Sequence, residues 1–256
     1  MSERSVQFAI FAYTGEVHCA VKNAVVAAGN EVAKRGWGSA IMEIIGDAMI
    51  PHARNTAVSL FLESTATDLV MCDADNYCSS ADFLRLLDHD VDVVAAPCRS
   101  RTEPLKWPVR WLHNTPMQRA PNGLMEVQSV GTGIIRMTRQ CIYQMNDRYR
   151  HRWFVNPNVK RGKSIALFEY EIENHHWWGE DVTFCRRWRK LGGEVWIDPD
   201  IVTAHIGTVE FTNSVANWLG AQPRRINLVS EESNEQSYIA NELSTAEEVL
   251  QSEAAE

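Results

Sequence analysis

Asp68-Leu69-Val70-Met71-Cys72-Asp73-Ala74-Asp75 decides the reading of this chain. A short apolar run ends in two carboxylates two residues apart, and the polar turn formers Asn76 to Ser80 follow. Thr67 to Cys72 therefore reads as a buried strand, and the two acids as its tip. No basic residue beside them in sequence offsets their charge. Hard oxygen ligands in this arrangement suit a divalent cation, Mg²⁺ or Mn²⁺. Such an ion bridges a diphosphate and offsets its charge as it leaves. Two solvated turn aspartates are the alternative, since Asp is a common turn residue.

Working outward, Val6–Ala12 is a near-continuous apolar run, as in a strand covered on both faces. Tyr13-Thr14-Gly15 ends it. From Val17 to Arg35 apolar residues recur at helical spacing, and Gly36 and Gly38 close that stretch. Ser39–Ile45 reads as a second strand. Pro51 sits where a helix begins, and Ala53–Ser64 continues it. After the acidic tip, Ser80 caps a short helix carrying Phe83, Leu84 and Leu87, and Val91–Ala96 is another buried strand. Alternating strands and helices in units of about 30 residues predict an α/β fold. Its central sheet is mostly parallel, with helices on both faces. Ligands of such sheets bind at the carboxyl ends of the strands. There the acidic tip, Tyr13 and the 46–54 turn are expected to converge on one cleft.

The second half is less regular. Residues 98–126 are rich in Arg, Pro and Trp and read as a long irregular loop. Val127–Met137 contains a strand broken by Gly131-Thr132-Gly133, and 138–147 a short helix. The basic stretch 148–165, with Trp153 and Phe154, is expected to protrude as a loop; Ile165–Ile172 is strand-like. His175-His176-Trp177-Trp178-Gly179-Glu180-Asp181 then leads into a helix to Leu191, stopped by Gly192-Gly193. Val195–Ile197 and Ile201–Ala204 are short strands, and His205 follows the second.

Composition bounds the function classes. The net charge is −8 over 256 residues. Residues 230–256 hold eight glutamates and no Lys or Arg, and without them 25 acids balance 25 bases. The acidity belongs to that stretch, expected as a disordered or loosely helical tail, and the body gives no general push toward a polyanion. The six cysteines form no C-x-x-C pair and read as reduced core thiols, neither a disulfide framework nor a zinc site. There is no apolar run of the length that spans a bilayer and no signal-peptide layout, so a cytoplasmic location is expected.

Beside the acidic tip, five groups carry candidate chemistry. Glu180 or Asp181 can take a proton from an acceptor hydroxyl, or serve only to complement a helix dipole. Trp177 and Trp178 present aromatic faces suited to sugar rings or bases. His205 offers a third ligand for the ion, or is a hydrogen-bonded structural histidine. Arg54-Asn55, near a helix start, can bind a nucleotide phosphate. Gly131-Thr132-Gly133 allows close backbone approach to a ligand, or is only a bulge.

In this order the motifs resemble those of the GT-A glycosyltransferases, the nucleotide-sugar-dependent superfamily. Ile50-Pro51-His52-Ala53-Arg54-Asn55 looks like its A-R-N helix start. Leu69 to Asp75 looks like its strand ending in D-x-D, and Gly131-Thr132-Gly133 like its small-residue segment. Gly179-Glu180-Asp181-Val182 looks like its E-D motif, and His205 sits where many members place a late metal-binding histidine. The likeness covers about residues 6–209.

The resemblance implies a GT-A type catalytic domain over 1–229, with a nucleotide-binding half at 1–97, an acceptor half at 98–229 and the acidic tail at 230–256. It implies transfer of a hexosyl or pentosyl group from a nucleoside-diphosphate sugar, a UDP-sugar favoured, to a hydroxyl acceptor. Mn²⁺ or Mg²⁺ is held by Asp75 and His205, with Asp73 on the ribose or the ion's waters, and Tyr13 and Arg54 lie near the nucleotide. Asp181 is the base if the anomeric centre inverts, with Glu180 orienting the acceptor. Trp177, Trp178 and Gly131 fall on the acceptor side. The acceptor is a carbohydrate or, since some phage enzymes of related fold glycosylate DNA bases, a modified nucleic-acid base. The first strand lacks the usual acidic or Asn-rich nucleotide-binding segment, which leaves the donor base open. Two other classes compete. A sugar-phosphate nucleotidyltransferase needs a Gly-rich basic loop after the first strand, which Ala12-Tyr13-Thr14-Gly15-Glu16 lacks. A non-catalytic sugar- or nucleic-acid-binding module needs no distant E-D pair.

Overall fold

The computed structural model describes residues 4–102, 104–112, 118–207 and 210–221. The stretch 230–256 lies outside the described residues. In chain order the elements are β1 (Ser5–Ala12), α1 (Cys19–Lys34), β2 (Gly38–Ile45), α2 (Ile50–Glu63), β3 (Asp68–Asp73), β4 (Asn76–Tyr77), α3 (Ser80–Asp88) and β5 (Val93–Ala95). They continue with β6 (Val109–Trp111), β7 (Met125–Val130), β8 (Ile134–Thr138), α4 (Arg139–Arg148), β9 (Trp153–Val155) and β10 (Lys163–Ile165). The last are β11 (Glu171–Glu173), β12 (His176–Trp178), α5 (Glu180–Lys190), β13 (Val195–Ile197), β14 (Thr203–Ile206), β15 (Glu210–Asn213) and α6 (Val215–Ala221).

Eight strands form the central sheet in the order β2-β1-β3-β8-β5-β13-β7-β6. β1 pairs in parallel with β2 and β3, and β13 in parallel with β5. Only β8 and β7 run against the rest, so the sheet is mostly parallel in strand direction. Helices pack on both faces, and the architecture is the α/β one expected from the sequence, a mostly parallel central sheet between helical layers.

The apolar run of β3 follows from its place in that sheet. Side chains alternate across a strand. Leu69 and Met71 join one buried cluster with Ala57 and Phe61 of α2 and Phe184 and Trp188 of α5. Val70 and Cys72 join the other, with Val21, Val25 and Val32 of α1 and Phe83 and Leu87 of α3. Both faces are covered, so Leu69 to Cys72 are apolar without a break up to the point where the strand emerges at Asp73. The α1 stripe is the expected one, and the chain turns after it at Gly36, whose φ of +76° falls in the left-handed region. Of the six free cysteines, five are buried and Cys19 is exposed.

Three expectations needed correction. Val127–Met137 is not one interrupted strand: β7 pairs with β13 and β6, whereas β8 inserts antiparallel between β3 and β5. The chain crosses the sheet at Gly131–Gly133. The basic stretch 148–165 is not a bare loop; its ends pair as the β9–β10 hairpin, and Arg152 bonds Glu169 at 2.5 Å. Ile165–Ile172 is strand only at its ends. Between them the backbone is held by the buried Asn55 amide, whose Oδ1 accepts from Leu167 N and Phe168 N at 2.9 Å each, and whose Nδ2 donates to Phe168 O at 2.7 Å. Asn55 thereby does the work of a strand partner and, at 2% exposure, is not open to a phosphate.

Candidate functional site

The carboxyl ends of β1, β2 and β3 open into a cleft of about 800 Å³. Tyr13, His18, Asp47, Asp73 and Asp75 are among its lining residues. The three segments expected to converge there do so. Tyr13 is exposed on its rim. Backbone bonds fix the acidic turn: Ala74 N donates to Phe11 O at 3.1 Å, His18 N to Ala74 O at 3.1 Å, and Asp73 N to Gly133 O at 2.9 Å. A Cβ on Gly133 would stand 3.2 Å from the Asn76 amide, so a glycine at the crossing keeps β8 close to the tip.

The two tip acids face different partners. Asp73 turns to Arg54, whose Nη2 donates to both of its oxygens at 3.0 and 3.2 Å. Arg54 is 4% exposed in its side chain, and its Nη1 donates to Glu180. One guanidinium at the start of α2 therefore ties the end of β3 to the start of α5, with Arg54 and Glu180 126 residues apart in sequence. Burial pushes the Asp73 carboxyl above its ordinary value, and Arg54 pulls it back in part.

Asp75 faces the other way. Its Oδ1 accepts from Asn76 Nδ2 at 2.9 Å, and its Oδ2 lies 3.2 Å from Arg101 Nη2 and 3.5 Å from His205 Nε2. Burial alone would raise its carboxyl, but His205 and Arg101 bring it below the ordinary carboxylate range. His205 sits in β14, opposite Asn76 of β4. Its Nδ1 lies 2.8 Å from Arg99 O, which fixes the tautomer with Nδ1 protonated and turns Nε2 toward Asp75. The hydrogen bond to Asp75 raises the His205 pKa. Among the described residues, no group of three His, Cys, Asp or Glu side chains is arranged to hold a metal ion by itself. The pair Asp75–His205 is brought together; Asp73 is not turned to join it.

Asp181 occupies the first turn of α5, with Oδ1 accepting from Val182 N at 2.7 Å. Two glycines border its carboxylate, and Gly179 makes room for it. A Cβ on Gly179 would come 2.9 Å from Oδ1, and one on Gly131 3.7 Å from Oδ2. Burial, reinforced by the neighbouring Glu180 charge, raises the Asp181 carboxyl. A carboxylate so placed is a better proton acceptor than one in water.

The two tryptophans separate. Trp177 is 68% exposed on the β11–β12 hairpin, against Tyr170. Trp178 carries the guanidinium groups of Arg186 and Arg110 over its ring, at 4.2 and 4.7 Å. Sequence reasoning missed Arg101. It lies in the irregular 98–126 loop, where no periodicity singles out one arginine, and only the fold carries it to Asp75.

No family model matches the chain, and no curated protein matches it. Solved structures do. A197 from STIV is similar at 16% identity over 83% of this chain and 91% of its own, with a TM-score of 0.50. A Drosophila β1,4-galactosyltransferase 7 variant, solved with manganese, UDP-Gal and xylobiose, is similar at 14% identity over 89% and 78%, with a TM-score of 0.41. A glycosyltransferase involved in glycosylation of the major capsid of PBCV-1 matches at 10% identity over 55% and 63%, with a TM-score of 0.29. At 16% identity the likeness to A197 is one of fold alone.

Proposed function

We propose that this chain is a divalent-metal-dependent glycosyltransferase, moving a sugar from a nucleoside-diphosphate donor, a UDP-sugar favoured, to a hydroxyl acceptor. One observation carries the reading. Asp75 and His205 meet at the edge of a cleft large enough for a nucleotide sugar, and a buried carboxylate of raised pKa, Asp181, is tied to the same tip through Glu180 and Arg54.

The residues present fit Mn²⁺ or Mg²⁺ as an open site. Asp75 Oδ2 and His205 Nε2 stand 3.5 Å apart, close to the roughly 3 Å between neighbouring ligands on an ion with bonds of about 2.1 Å. An oxygen and an imidazole nitrogen suit such an ion, and two protein ligands leave its remaining positions to phosphate oxygens and water. Bound there, the ion supplies charge compensation to a leaving diphosphate.

The chain's own residues do the rest. Tyr13 flanks the nucleotide at the cleft rim, and Asp73, held by Arg54, faces the ribose. Glu180 orients the acceptor. Asp181 receives the acceptor hydroxyl proton at Oδ2, the oxygen beside Gly131 and not bonded to Val182. Gly131, Trp177 and Trp178 lie on the acceptor side. A donor-hydrolysis screen tests the reading: purified protein, Mn²⁺ and a panel of nucleotide sugars, with released nucleoside diphosphate measured. Metal-dependent release from one donor supports it, and no release from any donor in the panel counts against it.

A further inference from the structure

A second cavity, of about 380 Å³, lies between β6, β7, β12 and α5, and the cleft chemistry makes no use of it. Its walls include Arg110, Ser129, Trp178, Arg186, Arg189 and Lys190. Four cations gather there against two carboxylates. Arg189 bonds Glu126 at 2.8 Å, and Glu173 takes both Arg186 and Lys190, the latter at 3.1 Å. Among the described residues no carboxylate pairs with Arg110. Positive charge is therefore in surplus, and the Trp178 ring holds Arg110 and Arg186 in place.

Three of the lining residues carry a buried donor without a hydrogen-bond partner. Ser129 is 1% exposed, and its hydroxyl has no partner. Trp178 Nε1 and Arg186 Nε are likewise buried without partners. A buried donor left unpaired is destabilising. Several in one basic cavity call for a ligand that accepts hydrogen bonds and carries negative charge. The cavity begins next to the proposed base: Val182 lines it and follows Asp181, while Ser129 stands two residues before Gly131, the neighbour of Asp181 Oδ2.

We propose that this cavity is an oxyanion subsite that receives a phosphate monoester carried by a small carbohydrate acceptor. Arg110 and Arg186 compensate its charge, and the Ser129 hydroxyl and Trp178 Nε1 donate to its oxygens. The assignment to the acceptor rests on the glycosyltransferase reading. A monoester fits better than a nucleic-acid strand, because a strand binds through many phosphates along an extended basic groove, whereas this is one concave pocket.

The full chain is titrated with inorganic phosphate, glucose 6-phosphate, glucose and a short DNA duplex, by calorimetry and tryptophan fluorescence, and separately with UDP and Mn²⁺. Inorganic phosphate and glucose 6-phosphate are expected to bind, and glucose is not. Arg110→Glu, at an exposed position of β6, is expected to weaken both phosphates by about tenfold or more and to leave UDP–Mn²⁺ binding unchanged. Ser129→Ala is expected to weaken them less. Failure of the wild type to bind either phosphate overturns the subsite, even where UDP–Mn²⁺ binds. Equal phosphate binding by wild type and Arg110→Glu also overturns it, as does duplex binding that phosphate does not displace. Phosphate binding that follows this pattern without any UDP–Mn²⁺ binding keeps the oxyanion site and removes the glycosyltransferase reading beneath it.

Discussion

Replacing Arg54 with methionine removes the tie between the β3 tip and α5 while keeping most of the side-chain volume. Arg54 is 4% exposed in its side chain, Glu180 13% and Asp73 27%. Removing one partner of a buried ion pair costs about 3–5 kcal/mol, because the partner's charge stays buried. Asp73 keeps some water, which places the expected loss near the lower end, about 3 kcal/mol. For a domain stable by about 5–15 kcal/mol the variant still folds, with its urea midpoint lowered by on the order of 1 M.

The loss is also expected to depend on pH. Burial already raises the Asp73 carboxyl, against the pull of Arg54. Without Arg54 it rises further. Between the ordinary carboxylate value and the raised one, the folded state then binds more protons than the unfolded state, so stability falls as pH rises through that window. The penalty of Arg54→Met is therefore smaller near pH 4 than at pH 7. Adding Asp73→Asn and Glu180→Gln to the same chain is expected to recover most of the loss, since no buried charge is then left unpaired. Urea unfolding of the three proteins at both pH values checks this. A penalty under about 1 kcal/mol, within the range of a surface pair, or one independent of pH, would refute the buried tie.

Asp181→Asn is expected to lower turnover by about 10²–10⁴-fold, the usual contribution of a general base, with UDP–Mn²⁺ affinity retained; steady-state rates and calorimetry measure the two. In the unsubstituted chain kcat/KM should rise with pH as Asp181 loses its proton, through a pKa above the ordinary aspartate value because burial raises it, and the Asn variant should lack that limb. His205→Ala is expected to weaken UDP binding in the presence of Mn²⁺ and to leave metal-free binding unchanged, read by paired titrations. Gly193→Ala places a Cβ 2.0 Å from Trp188 Cε2, in a ring 3% exposed and bonded through Nε1 to Glu194 O. The expected cost is about 1–3 kcal/mol or more, seen as a lowered thermal midpoint, and an unchanged midpoint would mean the ring moves freely.

Particular residues show why the first half of this fold was legible and the second was not. Val6–Ala12 and Leu69–Cys72 are apolar on both faces because helices cover both, so a local run reports a global layer. The α1 stripe at Val21, Val25 and Val32 reports its own helix. Val127–Met137 reads in sequence as one strand broken at Gly131-Thr132-Gly133, and nothing local says that its first part joins β13 and its second slips between β3 and β5. That choice is made by pairing across the chain.

The same limit applies at the site. Asp73, Asp75, Glu180, Asp181 and His205 stand out in the sequence by position, at strand ends and a helix start. The partners that divide the two tip acids do not. Arg54 reaches Glu180 and Asp73, and Arg101 reaches Asp75, only through tertiary structure. Trp178 looks like a free aromatic face in sequence and carries two arginines in the fold.

The most direct test of the central claim is calorimetric titration of UDP into the full chain with Mn²⁺, with EDTA, and with Mn²⁺ added to Asp75→Ala. One-site binding is expected with Mn²⁺, weakened about tenfold or more, on the order of 1.4 kcal/mol, by EDTA and by the substitution alike. Binding of equal strength in all three titrations, or no binding in any, would contradict the claim.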